Sequence, residues 1–412
     1  MKSNTKKSQS SKDFRTGNNV LSLIAYSTRS VAMLSASGPL MQTFLATLGF
    51  ESGLIYLHST LLQAFNVMTV IIFSGWTRGE SPIKRAAFTF VPNGILFLCY
   101  LPLAIRSSGG TDSFIMLAAI GILQQISTGL FTVCDYKLPY YIYRIEDYGI
   151  MTAICGIANS VLSFVVGLVI SNLSARMPYT RVMIFAFSIS AILMGIAFIS
   201  TIMQRSLRQD DADSEPNKKD TKSTLRELIS NPYFTRLIPA NFMRGFAAGV
   251  TAVLATVALD LGHSEAVTTA MVSAQSCALL IACALFGVTS RKIPTNLVTL
   301  IGSITMMLFP LLLIKNSLLF LILFTIIFFG RTLIDYAIPT QLIRIVPVEL
   351  SGPYNAWRMA MHNGGMLIAT TVAAWLPVPI LLSLAALFQM ISGLAYFQIG
   401  KPSKKRSNIS NV

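Results

Sequence analysis

"DYKLPYYIYRI" (135–145) and "DYAIPTQLIRI" (335–345) are the stretches on which the fold turns. They share Asp, Tyr, Pro, Arg and Ile at the same offsets, with Leu and Ile exchanged at two further positions. Each closes the fourth of six consecutive apolar runs, so a charged, proline-broken segment recurs at matching points of two halves. A charge inside an apolar span costs about 2.5 kcal/mol or more unless it faces a cavity and finds a partner. Buried charge repeated in this way needs a physical reason.

Outward from those segments the chain is built for lipid. Its 412 residues are 53% hydrophobic and only 12% charged, against roughly 25% charged in an ordinary soluble domain. Mean hydropathy is +0.63. Runs long enough to cross a ~30 Å hydrocarbon core are predicted at 20–47, 54–76, 86–105, 114–143, 150–172, 182–203, 234–260, 267–289, 295–314, 317–343, 355–376 and 379–399. The eleventh is the most polar, carrying Arg358, His362 and Asn363. The expected fold is all-α and integral to the membrane, with twelve transmembrane helices in two pseudo-symmetric six-helix bundles. The expected divisions are a tail at 1–19, a bundle at 20–203, a linker at 204–232, a bundle at 233–400 and a tail at 401–412.

A net charge of +15 raises the question of nucleic acid, but its distribution argues against that partner. With the N-terminus placed in the cytoplasm, the inner segments hold nearly all loop Lys and Arg, including Arg78, Lys84, Arg85, Arg144, Arg291 and Arg344. The outer loops hold only Arg106, Arg176, Arg181 and Lys315. Such a bias is the positive-inside pattern, and it predicts both termini in the cytoplasm of a cell (inner) membrane protein. The polar, basic start has no short apolar segment leading to a cleavage site, so the first span is expected to be retained. Five cysteines lie within predicted spans without a CxxC. They read as packing thiols, and neither a disulfide framework nor a metal site is expected.

The linker "QRSLRQDDADSEPNKKDTKSTLRELISNP" (204–232) is polar and mixed in charge, with Thr224 and Glu227 spaced as a capping box. On either side of it the halves correspond. Arg29 matches Arg244, Leu48-Gly49 matches Leu261-Gly262, and Arg78 matches Arg291 in a gap-free count from those glycines. Parallel six-span repeats joined by a cytoplasmic segment are a known transporter architecture.

At this level the chain resembles the major facilitator superfamily across almost its full length. The usual loop between spans two and three reads roughly Gly-x-x-x-Asp-x-x-Gly-Arg-Lys. Here "GWTRGESPIKR" (75–85) keeps Gly75 and Lys84-Arg85 but lacks the Asp, Glu80 being the nearest acid. Span five lacks the Gly-Pro stretch typical of drug/proton antiporters, which weakens an efflux reading. The resemblance implies that the first and fourth helices of each half line a central cavity.

On that basis Arg29 with Asp135, and Arg244 with Asp335, are expected as neighbouring pairs. Arg29 lies roughly 13 Å into its span at 1.5 Å per residue, and Asp135 stands nine residues before the inner end at Arg144. Fixed salt bridges and switchable ones both suit the sequence. A proline frees the carbonyl four residues earlier. Pro139 and Pro339 therefore act on Asp135 and Asp335, as kinks or gating points beside Tyr136 and Tyr336. Lys137 occurs only in the first half. Arg331 occurs only in the second, one turn before Asp335, where it can pair along the helix. The resulting cationic surplus favours an anionic solute held by guanidinium forks. Organophosphate/phosphate exchangers of the superfamily look similar in carrying one cavity arginine on the first helix of each half. Histidine as a residue type titrates near neutral pH, so His362 could carry a coupling proton, as could either acid. His58, Gln63, Gln124 and Gln125 are polar enough to touch a solute. Gly156, Gly167, Gly364 and Gly365 suit close helix contact.

These features predict a secondary transporter of a small solute, probed first as an organic anion, with H+ or Na+ as coupling ion and no cofactor. It is expected to act as a monomer in the bilayer. No phosphate-binding Gly-x-x-x-x-Gly-Lys-Ser/Thr loop is present, and three scattered histidines argue against an enzyme. The alternative within transport is a proton- or sodium-coupled sugar or glycoside symporter, which "SPIKRAAFTFVPNGILFLCYLP" (81–102) loosely resembles. A drug efflux antiporter is the remaining reading.

Overall fold

Span one begins further back than its hydropathy suggests. In the computed structural model, which describes residues 2–36, 38–73, 82–106, 109–135, 137–143, 148–206, 230, 232–289, 292–345 and 348–399, helix Lys2–Leu34 runs unbroken from the polar lead into the apolar run. Lys, Ser and Gln are tolerated in helices and no proline precedes Pro39, so nothing in the lead stops the helix. It breaks near Gly38, which has φ +69°, and resumes as Gly38–Thr47. The linker from 207 to 229 with its Thr224/Glu227 capping box, the tail from 401, Tyr136, Arg144, Arg291 and the 74–81 loop lie outside the described residues.

All regular structure among the described residues is helical. The remaining spans of the first half are Ser52–Ile72, Pro82–Arg106 in three pieces, Thr111–Asp135 with the short Leu138–Ile142, Tyr148–Ser174 and Tyr179–Ile202. Those of the second half are Pro232–Asp260, Glu265–Thr289, Thr295–Met306 with Phe309–Leu313, Ser317–Ile345, Val348–Ala373 and Val378–Ile399. Ten of these helices are long and apolar enough to cross a membrane by length and composition. The two that fall short are spans one and eleven. Both are polar because they are inside: span one packs on spans five and six, and span eleven on spans seven and two. Lipid is met instead by exposed apolar side chains such as Ile95, Ile192, Val288 and Leu318 on the outer helices.

The repeat visible as Leu48-Gly49 and Leu261-Gly262 is a repeated helix end. Both glycines have φ +88°. Gly49 N–H donates to Ala46 O (2.9 Å) and Phe50 N–H to Leu45 O (3.2 Å). Gly262 N–H donates to Leu259 O (2.9 Å) and His263 N–H to Ala258 O (3.0 Å). This is the 6→1 and 5→2 pattern that satisfies the last carbonyls of a helix. A Cβ on Gly262 meets nothing within 4 Å, so Gly262→Ala is a test of backbone strain alone. It is expected to lower stability by about 1 kcal/mol, measured by thermal unfolding in detergent.

The two proline repeats diverge. The span-four helix ends at Asp135 and restarts at Leu138, whereas Pro339 sits inside an unbroken Ser317–Ile345. The two prolines thus act differently, Pro139 beside a helix end and Pro339 within a continuous helix. Lys137, with no counterpart in the second copy, occupies the break, where its N–H donates to Cys134 O (3.0 Å).

The halves meet along spans two and eleven and spans five and eight. On the face away from the linker they are stitched by hydrogen bonds. Gln42 Oε1 accepts from Thr256 N–H and Oγ1 (both 3.1 Å), and Thr43 and Thr268 hydroxyls lie 3.1 Å apart. Ser52 Oγ and Tyr56 OH both donate to the Asp260 carboxylate, at 2.6 and 3.0 Å. Midway, Asn363 Nδ2 donates to Asn66 Oδ1 (2.7 Å), and Asn66 Nδ2 to Gln125 Oε1 (3.1 Å). The far face is closed.

Candidate functional site: a charged cavity between the halves

With the far face closed, the space between the halves lies toward the linker. A cavity of about 350 Å³ there is lined by residues of both halves. From span one come Ser22, Tyr26 and Arg29, in the first part of the apolar run, and from span six Gln204, just past its last turn. Span ten contributes Asp335, Tyr336, Pro339 and Leu342, and span eleven Arg358. Such a volume is at the small end of small-molecule sites, roughly 300–1,000 Å³.

In the first half the acid is held by a hydroxyl. Tyr26 OH donates to Asp135 Oδ2 (3.0 Å), and the Arg29 guanidinium stacks on Phe131, 3.9 Å from the ring centroid. The direct Arg29–Asp135 ion pair expected from the sequence is not formed, although the two charges interact through space. Tyr26 precedes Arg29 by three residues and Phe131 precedes Asp135 by four, so each lies on the same helix face as its neighbour. Between them they take the contacts that the two charges would otherwise make. A cation over an aromatic face contributes about 0.5–2 kcal/mol, which leaves Arg29 placed yet free to meet a solute.

In the second half the expected pair is formed. Arg244 Nη2 binds Asp335 Oδ1. Arg331 Nε stands 3.7 Å from Asp335 Oδ2, one turn along the same helix, and its Nη1 donates to Thr251 Oγ1. The Asp335 side chain is 43% exposed, whereas that of Arg244 is 8% exposed. The carboxylate faces the cavity and Arg244 lies behind it.

Several candidates lie elsewhere than expected. Lys137 is not among the residues lining the cavity. Arg244 and Arg331 border a separate crevice that shares Asp335, and His362 is buried in span eleven. His58 is buried in span two, and Gln124 and Gln125 are buried because span four turns them toward Tyr100 of span three and Asn66 of span two. Gly156 packs where a Cβ would stand 2.4 Å from Cys283 Sγ and from Tyr336 OH, but Gly364 faces open space. The five cysteines are free thiols.

Sequence reasoning misses Arg358, Tyr26 and Phe131. Arg358 reads in the sequence only as a cost to hydropathy, although it stands one turn before His362. Counting Arg29 and Arg358 with Arg244 and Arg331 gives four guanidiniums around two carboxylates, Asp135 and Asp335. The cationic surplus survives, carried by Arg358 in place of Lys137.

Two bundles of six helices around one charged cavity define a membrane transport protein of the secondary type. The family model of the Major Facilitator Superfamily matches residues 20–370, and the chain belongs to that superfamily. Solved structures of similar fold include a bacterial homologue of the iron transporter ferroportin in an outward-facing state (11% identity, TM-score 0.68, covering 93% of this chain and 98% of that one). The nucleoside transporter NupG is similar at 15% identity and TM-score 0.60, covering 95% and 100%. The Major Facilitator Superfamily transporter FucP, in its outward conformation, is similar at 14% identity and TM-score 0.64, covering 93% and 99%. Among curated protein sequences there is no match. The chain is thus an integral membrane secondary transporter of small solutes.

Proposed function

We propose that this transporter carries a small organic anion by alternating access, the bundles 20–203 and 233–400 rocking about the cavity. The observation that carries this reading is the pair of guanidiniums on the cavity wall, Arg29 and Arg358, beside an Asp335 carboxylate that Arg244 and Arg331 neutralise from behind. Arg29 and Arg358 are the cavity-facing cations. Asp335 is already engaged by Arg244 and Arg331, so an incoming anion meets Arg29, stacked on Phe131, with Arg358 on the same cavity lining. The biased loop charges support a cell membrane location with both termini cytoplasmic, and the open side then faces the cytoplasm. Asp135, held by a neutral hydroxyl, is the group for a coupling proton, with Na+ as the other coupling ion to test. Nothing in the mechanism requires a second copy of the chain.

The proton- or sodium-coupled sugar or glycoside reading is favoured by one observation, the aromatic and amide lining from Phe131, Tyr148, Asn159 and Gln204. Counterflow in proteoliposomes decides between them. Arg29→Gln and Arg358→Gln are each expected to weaken anion counterflow at least tenfold, about 1.4 kcal/mol of lost binding. Unchanged affinity in both variants overturns the anion reading, and counterflow of neutral sugars would replace it.

A further inference from the structure

Span five presents one stripe to the cavity, Thr152, Cys155, Gly156 and Asn159, at the three- and four-residue spacing that keeps side chains on one helix face. The first members of the stripe are committed within the protein. Thr152 Oγ1 donates to Tyr148 O (2.7 Å), the Cys155 thiol is hydrogen-bonded to Tyr143, and Gly156 has no side chain. Asn159 differs. Its Oδ1 accepts from Ser163 Oγ (3.2 Å), one turn further along. Ser163 is buried, so this bond holds the amide from its inner side. Asn159 Nδ2, with two hydrogens to give, donates to no described residue, and the side chain is half-buried on the cavity wall.

Asn159 also stands level with Arg29. Spans one and five pack on each other and, as odd-numbered spans, cross in the same direction. Arg29 is nine residues past the start of its apolar run at 20, and Asn159 is nine past the start of its own at Ile150, about 13 Å in each case. The Arg29 guanidinium rests on Phe131, and it too donates to no described residue. Other cavity donors are engaged: Tyr26 OH by Asp135, Gln204 Nε2 by Ser22 Oγ, and Thr340 Oγ1 by Tyr336 O. Two uncommitted donors, one charged and one neutral, therefore lie at one depth on neighbouring helices.

A carboxylate fills a guanidinium fork with both of its oxygens, which leaves the Asn159 amide to a further acceptor on the same solute. We propose that Asn159 is a specificity-determining residue of the cavity, selecting carboxylates that carry a second oxygen, hydroxyl or oxo, over alkanoates of the same length. This selectivity rests on the organic-anion reading above and narrows it. A donor in a site disfavours the analogue that lacks the acceptor, because it is then stripped of water and gains no partner.

The test titrates the full chain, purified in detergent, with sodium salts of matched acids at constant ionic strength, following Tm. The pairs are lactate with propionate, malate with succinate and gluconate with hexanoate. At least one hydroxy acid is expected to give a saturable rise, with a half-saturating concentration about fivefold or more below that of its partner. Asn159→Leu should remove that preference by weakening the hydroxy acid alone. Asn159→Asp, similar in shape but offering acceptors, should show no preference either. If Asn159→Asp keeps it, the side chain accepts from the solute and the proposal fails. It fails also if the unaltered protein shows no preference, a measurement that needs no variant, or if inorganic phosphate binds and no hydroxy acid does. Arg29→Gln should weaken both acids of a pair alike. Such an effect with the preference intact in Asn159→Leu overturns this inference alone, whereas no effect of Arg29→Gln overturns the anion reading with it.

Discussion

Asp335→Ala is expected to destabilise the second bundle by about 3 kcal/mol, the low end for removing one partner of a buried ion pair. The low end applies because the Asp335 side chain is 43% exposed to the cavity while Arg244 is nearly enclosed. The cost falls on what remains: Arg244 and Arg331 both lose their carboxylate and face each other across spans seven and ten. Asp335→Asn keeps the shape and removes the charge, which separates packing from electrostatics. Thermal unfolding in detergent should order the variants as unaltered protein, then Asn, then Ala, and transport should be lost in both. Combining Asp335→Leu with Arg244→Met removes charge from both sides and should recover a good part of the lost stability. No recovery in the double variant would mean that the pair is not what holds spans seven and ten.

Gly245→Val carries the other large effect. The contact that any Cβ would make there is with backbone, the His362 carbonyl oxygen at 1.8 Å, His362 C at 2.6 Å and His362 Cα at 2.8 Å. Backbone cannot swing aside as a side-chain tip can, so spans seven and eleven must separate along their length. Gly365 is in the same position from the other helix, 2.1 Å from Phe242 O. Gly245→Val is expected to yield no monodisperse peak in size-exclusion chromatography of the solubilised protein. Gly364→Ala, one residue from Gly365 but facing open space, should elute and unfold like the unaltered chain. Equal behaviour of the two variants would overturn this account of the helix contact.

The Gly364 contrast also marks the limit of reading such a chain by sequence. Helical periodicity places Gly364 and Gly365 about 100° apart, but which of them faces span seven is a matter of helix rotation, set by tertiary packing. Architecture was legible because a bilayer imposes one length scale and one polarity on every span. The recurrence of Leu-Gly at 48–49 and 261–262 was legible for a different reason: a left-handed helix end strongly favours glycine. The Arg244–Asp335 pair followed from repeat symmetry and equal depth. The same argument brought Arg29 and Asp135 to one cavity lining but not into direct contact, because depth says nothing about competitors one turn away. Tyr26 and Phe131, which no sequence pattern singled out, take those contacts. The place of Arg358 on the cavity was not legible for a related reason, since in a hydropathy scan a cavity arginine and an unfavourable lipid-facing one look alike.

The face opposite the linker is fastened by Gln42, Thr43, Ser52, Tyr56 and the lone carboxylate of Asp260. Among these fastenings no cation meets an anion. Each neutral bond contributes only about 1 kcal/mol net and each to the Asp260 carboxylate about 1.5–3 kcal/mol, and water can replace any of them singly as the seam parts. Opening that side is then a graded unzipping, not the rupture of one strong lock. Because neutral donors are not shielded by mobile ions, its rate should be nearly indifferent to external salt, a kinetic signature quite unlike that of a gate held by opposite charges.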